Sequence, residues 1–301
     1  GLKVKVPTTL NPRPGNTYSL PNRIVFKKQK RLDRLLADMG VTPNYSCVCY
    51  KDANVPQKGD VLAWAESSAV QYANSVIGAR TNRNSILIDL CSALTGLTPE
   101  FGYLLDDNRR GQMLVKLEVE KMDPAALGFL LGKKAVDKVP VIEHYDFSTI
   151  DLKNMGGAMA ASGAVALFHV EGLTPEAPDL KTVFDHEPAS TITITQADLD
   201  EIRCKKSGWA DQIVFGCPQM TLEEASELAE RFAGKKVSKP TSFCMIPADK
   251  TQFEKTGSYA KARAAGVEVY GHCPVAALTV RVRNKKVLSS SAKCYYYLDG
   301  S

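Results

Sequence analysis

The stretch from Asp211 to Met245, DQIVFGCPQMTLEEASELAERFAGKKVSKPTSFCM, decides the fold class. Its two ends, Asp211–Phe215 and Lys239–Met245, have the apolar composition of strands. Between them, Thr221 is followed three residues later by Glu224, a capping box that predicts the start of a helix. A strand, a helix and a second strand in this order predict a βαβ unit with parallel strands.

The same alternation continues on both sides of this stretch. Downstream, we predict a helix over Lys250–Ala265 and a strand over Val267–Tyr270. Upstream, Ile192–Ile194 is a predicted strand, and Thr195 with Asp198 three residues later forms a weaker capping signal. The sequence therefore predicts an α/β fold with parallel or mixed sheets.

The first half of the chain has a less regular pattern. A loop rich in Asn, Pro and Gly covers Thr8 to Pro21, and the predicted helix after it buries Ile24, Leu32, Leu35 and Leu36. The predicted strands are Leu2–Val6, Asn44–Tyr50, Met113–Val119 and Val165–Val170; the predicted helices are Arg23–Met39, Ile86–Leu94, Leu127–Lys134 and the small-residue segment Gly156–Ala166, which also suits a close-packed turn.

Composition excludes several classes of protein. The chain has 301 residues, enough for one large domain or two smaller ones, and a thinly spread net charge of +5, which argues against nucleic acid as the main partner. No apolar run approaches the ~20 residues of a membrane span. Eight widely spaced cysteines suit a reducing compartment, and we expect a cytoplasmic protein. Because the chain starts at Gly1 without Met, we expect a processed product or a part of a longer protein.

The segment Ala63–Arg83, AWAESSAVQYANSVIGARTNR, is the least ordinary in the chain. Small and apolar residues recur at intervals of three and four, which predicts a buried helix ending at Gly78. Arg80, Asn82 and Arg83 follow it, and guanidinium groups match carboxylates and phosphates. A substrate clamp and a routine basic helix end are both compatible with this pattern. Polar side chains also begin the helix: Glu66, Ser67 and Ser68.

Three cysteines follow predicted strands. Cys47, Cys217 and Cys273 lie in YSCVCY, VFGCPQM and VYGHCPV. In open α/β sheets the site lies beyond the carboxyl ends of the strands, so these thiols are candidate iron–sulfur ligands. Three unrelated buried thiols would give the same pattern. Cys91 and Cys244 are expected in the core, and Cys49 is close enough to Cys47 to replace it as a ligand.

The chain resembles a known family over nearly its whole length. In order, the segments VKVPTTLNP, SCVCY, AWAESSAV, ANSVIGARTNR, LFHVEGLTPEA, GCPQMTLEE and SAKCYYY look like the catalytic large subunit of aconitase X. The resemblance implies an aconitase-type fold of stacked α/β/α layers around a central cleft. On this basis we expect one lobe over residues 1–160 and a second over 161–301, with a small swivel domain on a separate subunit or fused segment.

The implied activity is dehydration of a small hydroxy acid such as cis-3-hydroxy-L-proline, with mevalonate 5-phosphate as the alternative. The family's iron ligands map onto Cys47, Cys217 and Cys273, which would hold a 4Fe-4S or 2Fe-2S cluster or a mononuclear iron. Iron would act as a Lewis acid on the substrate hydroxyl.

The resemblance also gives roles to polar side chains. Arg80, Arg83 and Lys293 would stabilise negative charge on the substrate. In this superfamily a serine of the swivel component is the base, and Ser291 beside Lys293 is the candidate within this chain. The other expected site residues, which orient substrate or match the family pattern, are Glu66, Ser67, Asn82 and His169.

Departures from the family pattern leave two further hypotheses. Leu104 and Gln219 stand where relatives usually have histidine, and Cys49 where proline is usual. These substitutions suit the second hypothesis, a degenerate, non-catalytic relative that acts as a binding subunit. The third hypothesis is an unrelated α/β enzyme with Cys217 as a nucleophile before a helix N-terminus.

Overall fold

Two parallel sheets organise the chain. The computed structural model describes residues 1–13, 27–203, 209–275 and 286–298, and within these ranges eight strands form two four-stranded sheets in which every ladder is parallel. Their orders, β3-β2-β1-β4 and β7-β6-β5-β8, repeat one topology along the chain. The strands are β1 (Met113–Glu118), β2 (Pro140–Ile142), β3 (His169–Val170), β4 (Ser190–Thr195), β5 (Gln212–Met220), β6 (Thr241–Met245), β7 (Val267–Tyr270) and β8 (Val287–Ser289).

Helices connect the strands as a parallel sheet requires. In the described ranges the α-helices are α1 (Lys27–Asp38), α2 (Ser67–Tyr72), α3 (Ile86–Thr95), α4 (Pro124–Ala135), α5 (Thr149–Ser162), α6 (Leu180–Val183), α7 (Gln196–Arg203), α8 (Leu222–Phe232), α9 (Pro247–Phe253), α10 (Gly257–Ala265) and α11 (Ala292–Leu298). Among the described residues, no helix is long and apolar enough to cross a membrane.

Each sheet has its own hydrophobic core. In the first sheet, Val115 lies between Ile142 and Ile192, and side chains of α4, α5 and α7 cover these strands. In the second, Phe243 of β6 and Val267 of β7 pack against α8, α9 and α10. The α/β fold with parallel sheets predicted from the βαβ pattern is therefore confirmed.

Helix α5 lies between the two halves of the chain and packs against α2, α4, α11 and β5. Its sequence, TIDLKNMGGAMAAS, contains small residues on several sides, which lets neighbouring backbones approach closely. A Cβ atom at Gly128 of α4 would lie 2.1 Å from the carbonyl oxygen of Met155, and one at Gly157 would lie 2.7 Å from the ring of Pro218. The predicted lobe boundary at residue 160 falls inside this helix, and the two-lobe division stays a prediction.

Helix ends were the best-predicted local features. Thr195–Asp198 and Thr221–Glu224 form the expected reciprocal hydrogen bonds. Gly78 ends the buried segment in a left-handed conformation, with φ of 76°. That segment begins as α2 and continues as a π-helix over Ala73–Ile77.

Several other predictions were wrong. Leu2–Val6 and Asn44–Tyr50 form no strand, and the second contains only the beginning of a 3₁₀-helix, Cys49–Lys51. Lys250–Ala265 is two helices, because residues 254–256 turn the chain. Leu32 and Leu35, predicted to be buried, are about half exposed on α1. Cys91, predicted in the core, is exposed on α3. Ile24 and most of the loop Thr8–Pro21 lie outside the described residues.

Candidate functional site

The turn that carries Cys47 is held by Gln219, 172 residues away. The Cys47 N–H donates to Oε1 of Gln219 over 3.0 Å, and the Gln219 N–H donates to Sγ of Cys47 over 3.3 Å. Cys47 is therefore fixed against β5 by tertiary contacts, although the predicted strand before it is absent.

Cys217 lies within β5, where the pairing register with β6 shifts between Phe215 and Met220. Gly216 has a φ of 105°, and a Cβ atom there would lie 2.1 Å from the carbonyl oxygen of Cys244, so the backbone needs glycine at this point. The next peptide bond, Cys217–Pro218, is cis. This irregular segment brings Cys217 and Gln219 onto the same short piece of strand.

Lys293 and Glu66 form a buried ion pair. Nζ of Lys293 lies 2.9 Å from Oε1 of Glu66, 3.1 Å from Oγ of Ser68 and 3.4 Å from Oγ of Ser67, and the Lys293 and Glu66 side chains are 8% and 19% exposed. The structure thus brings together three predicted site residues, Glu66, Ser67 and Lys293, although Lys293 lies 227 positions from Glu66 in the sequence.

Electrostatics couple this pair to the thiols. Burial opposes charge on Lys293, but the Glu66 carboxylate raises its pKa above its usual value, and the sulfurs of Cys217 and Cys47 act in the same direction when they are ionised. Burial would raise the pKa of Glu66, yet Lys293 and the hydrogen bonds from Ser68 outweigh it and lower that pKa. The pair is therefore ionised, and it provides a fixed ammonium group beside two cysteines.

The thiols themselves are protonated in this environment. Burial, assisted by the Glu66 carboxylate, raises the pKa of Cys47 to about 12 against the opposing effect of Lys293. Burial also raises the pKa of Cys217 well above its usual value, and the neighbouring Cys294, Cys273 and Cys47 act in the same direction. Such thiols are poor free nucleophiles, which disfavours the hypothesis of a Cys217 nucleophile.

Ser291 is engaged in local structure. Its Oγ donates to the Cys217 carbonyl oxygen and accepts from the Cys294 N–H over 3.0 Å at the start of α11. The hydroxyl thus connects β5 to the helix that carries Lys293. Its predicted role as a base is untested; to act as one, Ser291 would have to give up the proton that it donates to the Cys217 carbonyl oxygen.

The predicted arginine clamp contacts mainly backbone. Nη1 of Arg80 donates to the Leu104 carbonyl oxygen over 2.9 Å, and Nη2 pairs with Asp106. Nη1 of Arg83 donates to the Ala160 carbonyl oxygen at the end of α5 over 3.0 Å. Both guanidiniums therefore have protein partners in this structure, and their binding of substrate stays a prediction.

Asn82, from the same loop, holds the turn that contains Leu104. Its Oδ1 accepts from the Tyr103 N–H and its Nδ2 donates to the Phe101 carbonyl oxygen, both over 2.9 Å. A Cβ atom at Gly102 would lie 2.2 Å from Asn82 Oδ1, so the contact depends on glycine there.

His169 is buried in β3, with Nε2 2.8 Å from the Arg109 carbonyl oxygen. Arg109 is 4% exposed, and its guanidinium binds Asn74, Ala79, Tyr103 and Glu176. The role of Arg109 was not predicted from the sequence, because nothing local distinguishes it from its half-buried neighbour Arg110. His169 and Arg109 together support the loop that leads to Arg80.

Comparison with known proteins decides the family. Models of the first, second and third domains of aconitase X match residues 1–107, 111–204 and 210–301. The chain belongs to the aconitase X family. The family predicted from the SCVCY, GARTNR, GCP and SAK segments is therefore confirmed.

Its relatives within aconitase X carry two names. The phosphomevalonate dehydratase large subunit of Methanothermobacter thermautotrophicus is 36% identical over 100% of this chain and 77% of that protein. The corresponding large subunit of Thermococcus kodakarensis is 37% identical over 80% of this chain and 62% of that protein. The cis-3-hydroxy-L-proline dehydratase of Pseudomonas aeruginosa is 30% identical over 100% of this chain and 55% of that protein.

A solved structure agrees with this membership. The crystal structure of Thermococcus kodakaraensis aconitase X in its holo form matches with a TM-score of 0.89 at 33% identity, covering 100% of this chain and 78% of that one. The predicted aconitase-type fold is confirmed.

The donor set of this aconitase X chain suits iron. Thiolates are soft ligands that hold iron and iron–sulfur clusters, and a bound cation would favour loss of the protons that burial retains on Cys47 and Cys217. Cys273 is partly exposed, and its N–H donates to the Arg13 carbonyl oxygen over 3.3 Å. In the described parts of the chain, no group of three His, Cys, Asp or Glu side chains is arranged to hold a metal ion. The three-cysteine ligand set stays a prediction.

Sequence reasoning missed a second buried ion pair beside the thiols. Nζ of Lys153 on α5 pairs with Glu224 on α8 and donates to the Gln219 carbonyl oxygen over 3.1 Å. Glu224 was read only as a capping residue. The signal that could have revealed the pair is a lysine in a helix of mostly small and apolar residues, three positions before Gly156.

Proposed function

We propose that this chain is the large-subunit part of a hydro-lyase that removes water from a small hydroxy acid. One observation carries the proposal: a buried, ionised Lys293–Glu66 pair lies beside the Cys47 and Cys217 thiols in a member of the aconitase X family. The relatives at 36% and 37% identity are named dehydratases, and the matches span 77% and 62% of their length.

In this proposal Cys47, Cys217 and Cys273 hold the iron, as a single ion or as a 2Fe-2S or 4Fe-4S cluster. When bound, iron supplies a Lewis acid that converts the substrate hydroxyl into a better leaving group. Two of the three thiols are buried, so the ligand set excludes water on the protein side.

Lys293 stabilises the negative charge that develops beside the substrate carboxylate when the proton leaves. Glu66 keeps its ammonium group charged and fixed in position, so little reorganisation is needed during the reaction. Ser67 offers a hydroxyl 3.4 Å from the same nitrogen. Arg80 and Arg83 would bind the acid group, while Asn82 and His169 support their loop.

The base belongs to another part of the enzyme in this proposal. Ser291 donates its hydroxyl proton to the Cys217 carbonyl oxygen, and losing that proton would break the bond that connects β5 to α11. A swivel domain, on a separate small subunit or a fused segment, would supply the proton acceptor. The designation of several relatives as large subunits supports such a partner.

Mevalonate 5-phosphate is the first substrate to test. Over the aligned residues, the phosphomevalonate dehydratase large subunits named above are 36% and 37% identical to this chain, against 30% for the cis-3-hydroxy-L-proline dehydratase. Cis-3-hydroxy-L-proline, which the sequence favours, is the second substrate to test.

The test combines iron analysis with turnover. Protein purified without oxygen is expected to be brown and to contain iron, and Cys217→Ser is expected to lose most of it, whereas Cys91→Ser, at an exposed cysteine on α3, is expected to retain it. The chain combined with its small subunit should dehydrate one of the two substrates. Iron-free wild-type protein would overturn the iron site, and bound iron without turnover of either substrate would favour the non-catalytic binding subunit.

A further inference from the structure

The side chain of Gln219 makes four polar contacts, three of them to one turn. Its Oε1 accepts from the Cys47 N–H over 3.0 Å and lies 3.6 Å from Cys47 Sγ. Its Nε2 donates to the Met245 carbonyl oxygen over 3.2 Å and to the Tyr45 carbonyl oxygen over 3.5 Å. Both ends of the amide are therefore used, and three of the four contacts go to the residues 45–47.

Gln219 is itself held from several directions. It is 1% exposed, its carbonyl oxygen accepts from Nζ of Lys153 on α5, and Met245 belongs to the adjacent strand β6. A buried amide with this many partners has one orientation, because any rotation would leave buried polar atoms unpaired. The side chain is a rigid support rather than an adaptable contact.

The turn it supports has little structure of its own. Residues 43–46 belong to no helix or strand, and Tyr45 has a φ of 50°, a left-handed conformation that a non-glycine residue adopts at a cost. Such a conformation persists only when the surroundings determine it. Gln219, two residues after Cys217, stabilises this conformation through its hydrogen bonds to Tyr45 and Cys47.

We propose that Gln219 is a positioning residue that holds the Cys47 turn on β5, so that the Cys47 and Cys217 thiols are presented together before iron binds. Cys47 and Cys217 come from distant parts of the sequence, and the Gln219 side chain connects the turn before Cys47 to the strand that carries Cys217. That these positioned thiols bind iron rests on the proposed function, but the positioning itself is a property of the iron-free chain.

The test uses Gln219→Met, which keeps the approximate size but removes both the acceptor and the donor. The matched control is Gln112→Ala, because Oε1 of Gln112 also accepts a backbone N–H, that of Val139, over 3.0 Å in the first sheet. Iron-free protein is labelled with a small thiol reagent at fixed pH, and the rate at each cysteine is read by mass spectrometry. Unfolding by urea is measured on the same samples.

We expect Gln219→Met to increase the labelling rate of Cys47 about tenfold or more through local opening of the turn, with a much smaller change at Cys244 in β6. Gln112→Ala should leave the Cys47 rate unchanged. Reconstituted Gln219→Met should bind less iron than wild type. If the Met variant does not fold, Gln219→Asn, which keeps the amide but is one carbon shorter, provides the same comparison.

Equal labelling of Cys47 in wild type and the Gln219 variants would overturn the positioning role, whatever the iron content. A uniform rise at all buried cysteines, matched by lower resistance to urea, would show a general structural role and would also overturn it. Selective exposure of Cys47 in a protein whose wild type binds no iron would support the positioning role while refuting the iron site.

Discussion

His169 is a single residue whose burial makes the stability of the fold depend on pH. Burial lowers its pKa against the opposing effect of the hydrogen bond to Arg109, and Nδ1 has no hydrogen-bond partner in the described structure. The unfolded chain therefore takes up a proton near the ordinary pKa of about 6.5, while the folded chain resists it to lower pH. The free energy of unfolding should fall as pH drops below that value.

The predicted slope for this one group approaches ~1.4 kcal/mol per pH unit between the unfolded and folded pKa values. Urea unfolding of wild type and His169→Gln between pH 7 and pH 5 measures it, and the variant should show a flatter dependence. His144→Gln, at a ring that is 60% exposed, is the control and should follow wild type. Parallel pH profiles for wild type and His169→Gln would contradict the prediction.

Lys293 is the second residue with a testable energetic role. Lys293→Met leaves the Glu66 carboxylate buried without its cation, and loss of one partner of a buried pair costs about 3 kcal/mol. The double variant Lys293→Met/Glu66→Gln removes the unpaired charge and should recover part of that loss. Urea unfolding provides the measurement.

Lys261→Met is the matched control, because Lys261 pairs with Glu230 on an exposed surface and should change stability little. A double variant no more stable than Lys293→Met would contradict the explanation based on unpaired charge.

At the level of secondary-structure elements, Glu224 belongs to the N-terminal cap of α8 and also binds the neighbouring helix α5. It accepts from the Thr221 N–H over 2.8 Å and pairs with Lys153 of α5, whose side chain is 4% exposed. Glu224→Ala therefore removes a cap and leaves a buried ammonium unpaired, which should cost about 3 kcal/mol or more. Glu223→Ala, at the exposed neighbour on the same turn, should cost well under about 1 kcal/mol. Similar losses in the two variants would contradict the role of the pair.

The elements also separate what the sequence predicts from what it does not. Caps and stops depend on residues three or four apart, so Thr221 with Glu224, and Gly78, were predicted correctly. Asn44–Tyr50 has the composition of a strand, yet none of the described strands pairs with it, and the Cys47 N–H binds the side chain of Gln219 instead. A pattern confined to seven residues contains no information about that distant partner.

The candidate site shows the same division. Residues Cys47 and Gln219 meet across 172 positions, and Lys293 reaches Glu66 across 227. Their positions after predicted strands singled out the three cysteines, and the family resemblance then pointed to the same three as iron ligands. The strand predicted before Cys47 is nevertheless absent. The buried Arg109 has no local signature, and the only signal for Lys153 is a lysine in a helix of mostly small and apolar residues. A charged residue becomes buried only through tertiary packing, so neither partner could be read from its neighbours in the sequence.

At the level of the whole molecule, α5 joins two sheets of identical strand order, and its contact with β5 lies directly beside Cys217. Gly157 makes this contact possible, since a Cβ atom there would lie 2.7 and 2.9 Å from two ring atoms of Pro218 and 3.6 Å from Ser68. The proline ring is constrained by its backbone and cannot move aside as a flexible side chain would. A methyl group at this position must therefore push the two halves of the chain apart.

Gly157→Ala is expected to destabilise the protein by about 1–3 kcal/mol, the usual cost of overpacking, although alanine favours a helix. Because the displaced residue is next to Cys217, the variant should also bind less iron than wild type after anaerobic reconstitution. The control is Gly257→Ala in α10, where the added carbon meets no atom within 4 Å and stability should stay equal or rise slightly. Urea unfolding and iron analysis of both variants test the two expectations. Wild-type stability in Gly157→Ala would show that the halves can separate without cost. A loss of stability with full iron content would show that the thiols do not depend on this contact.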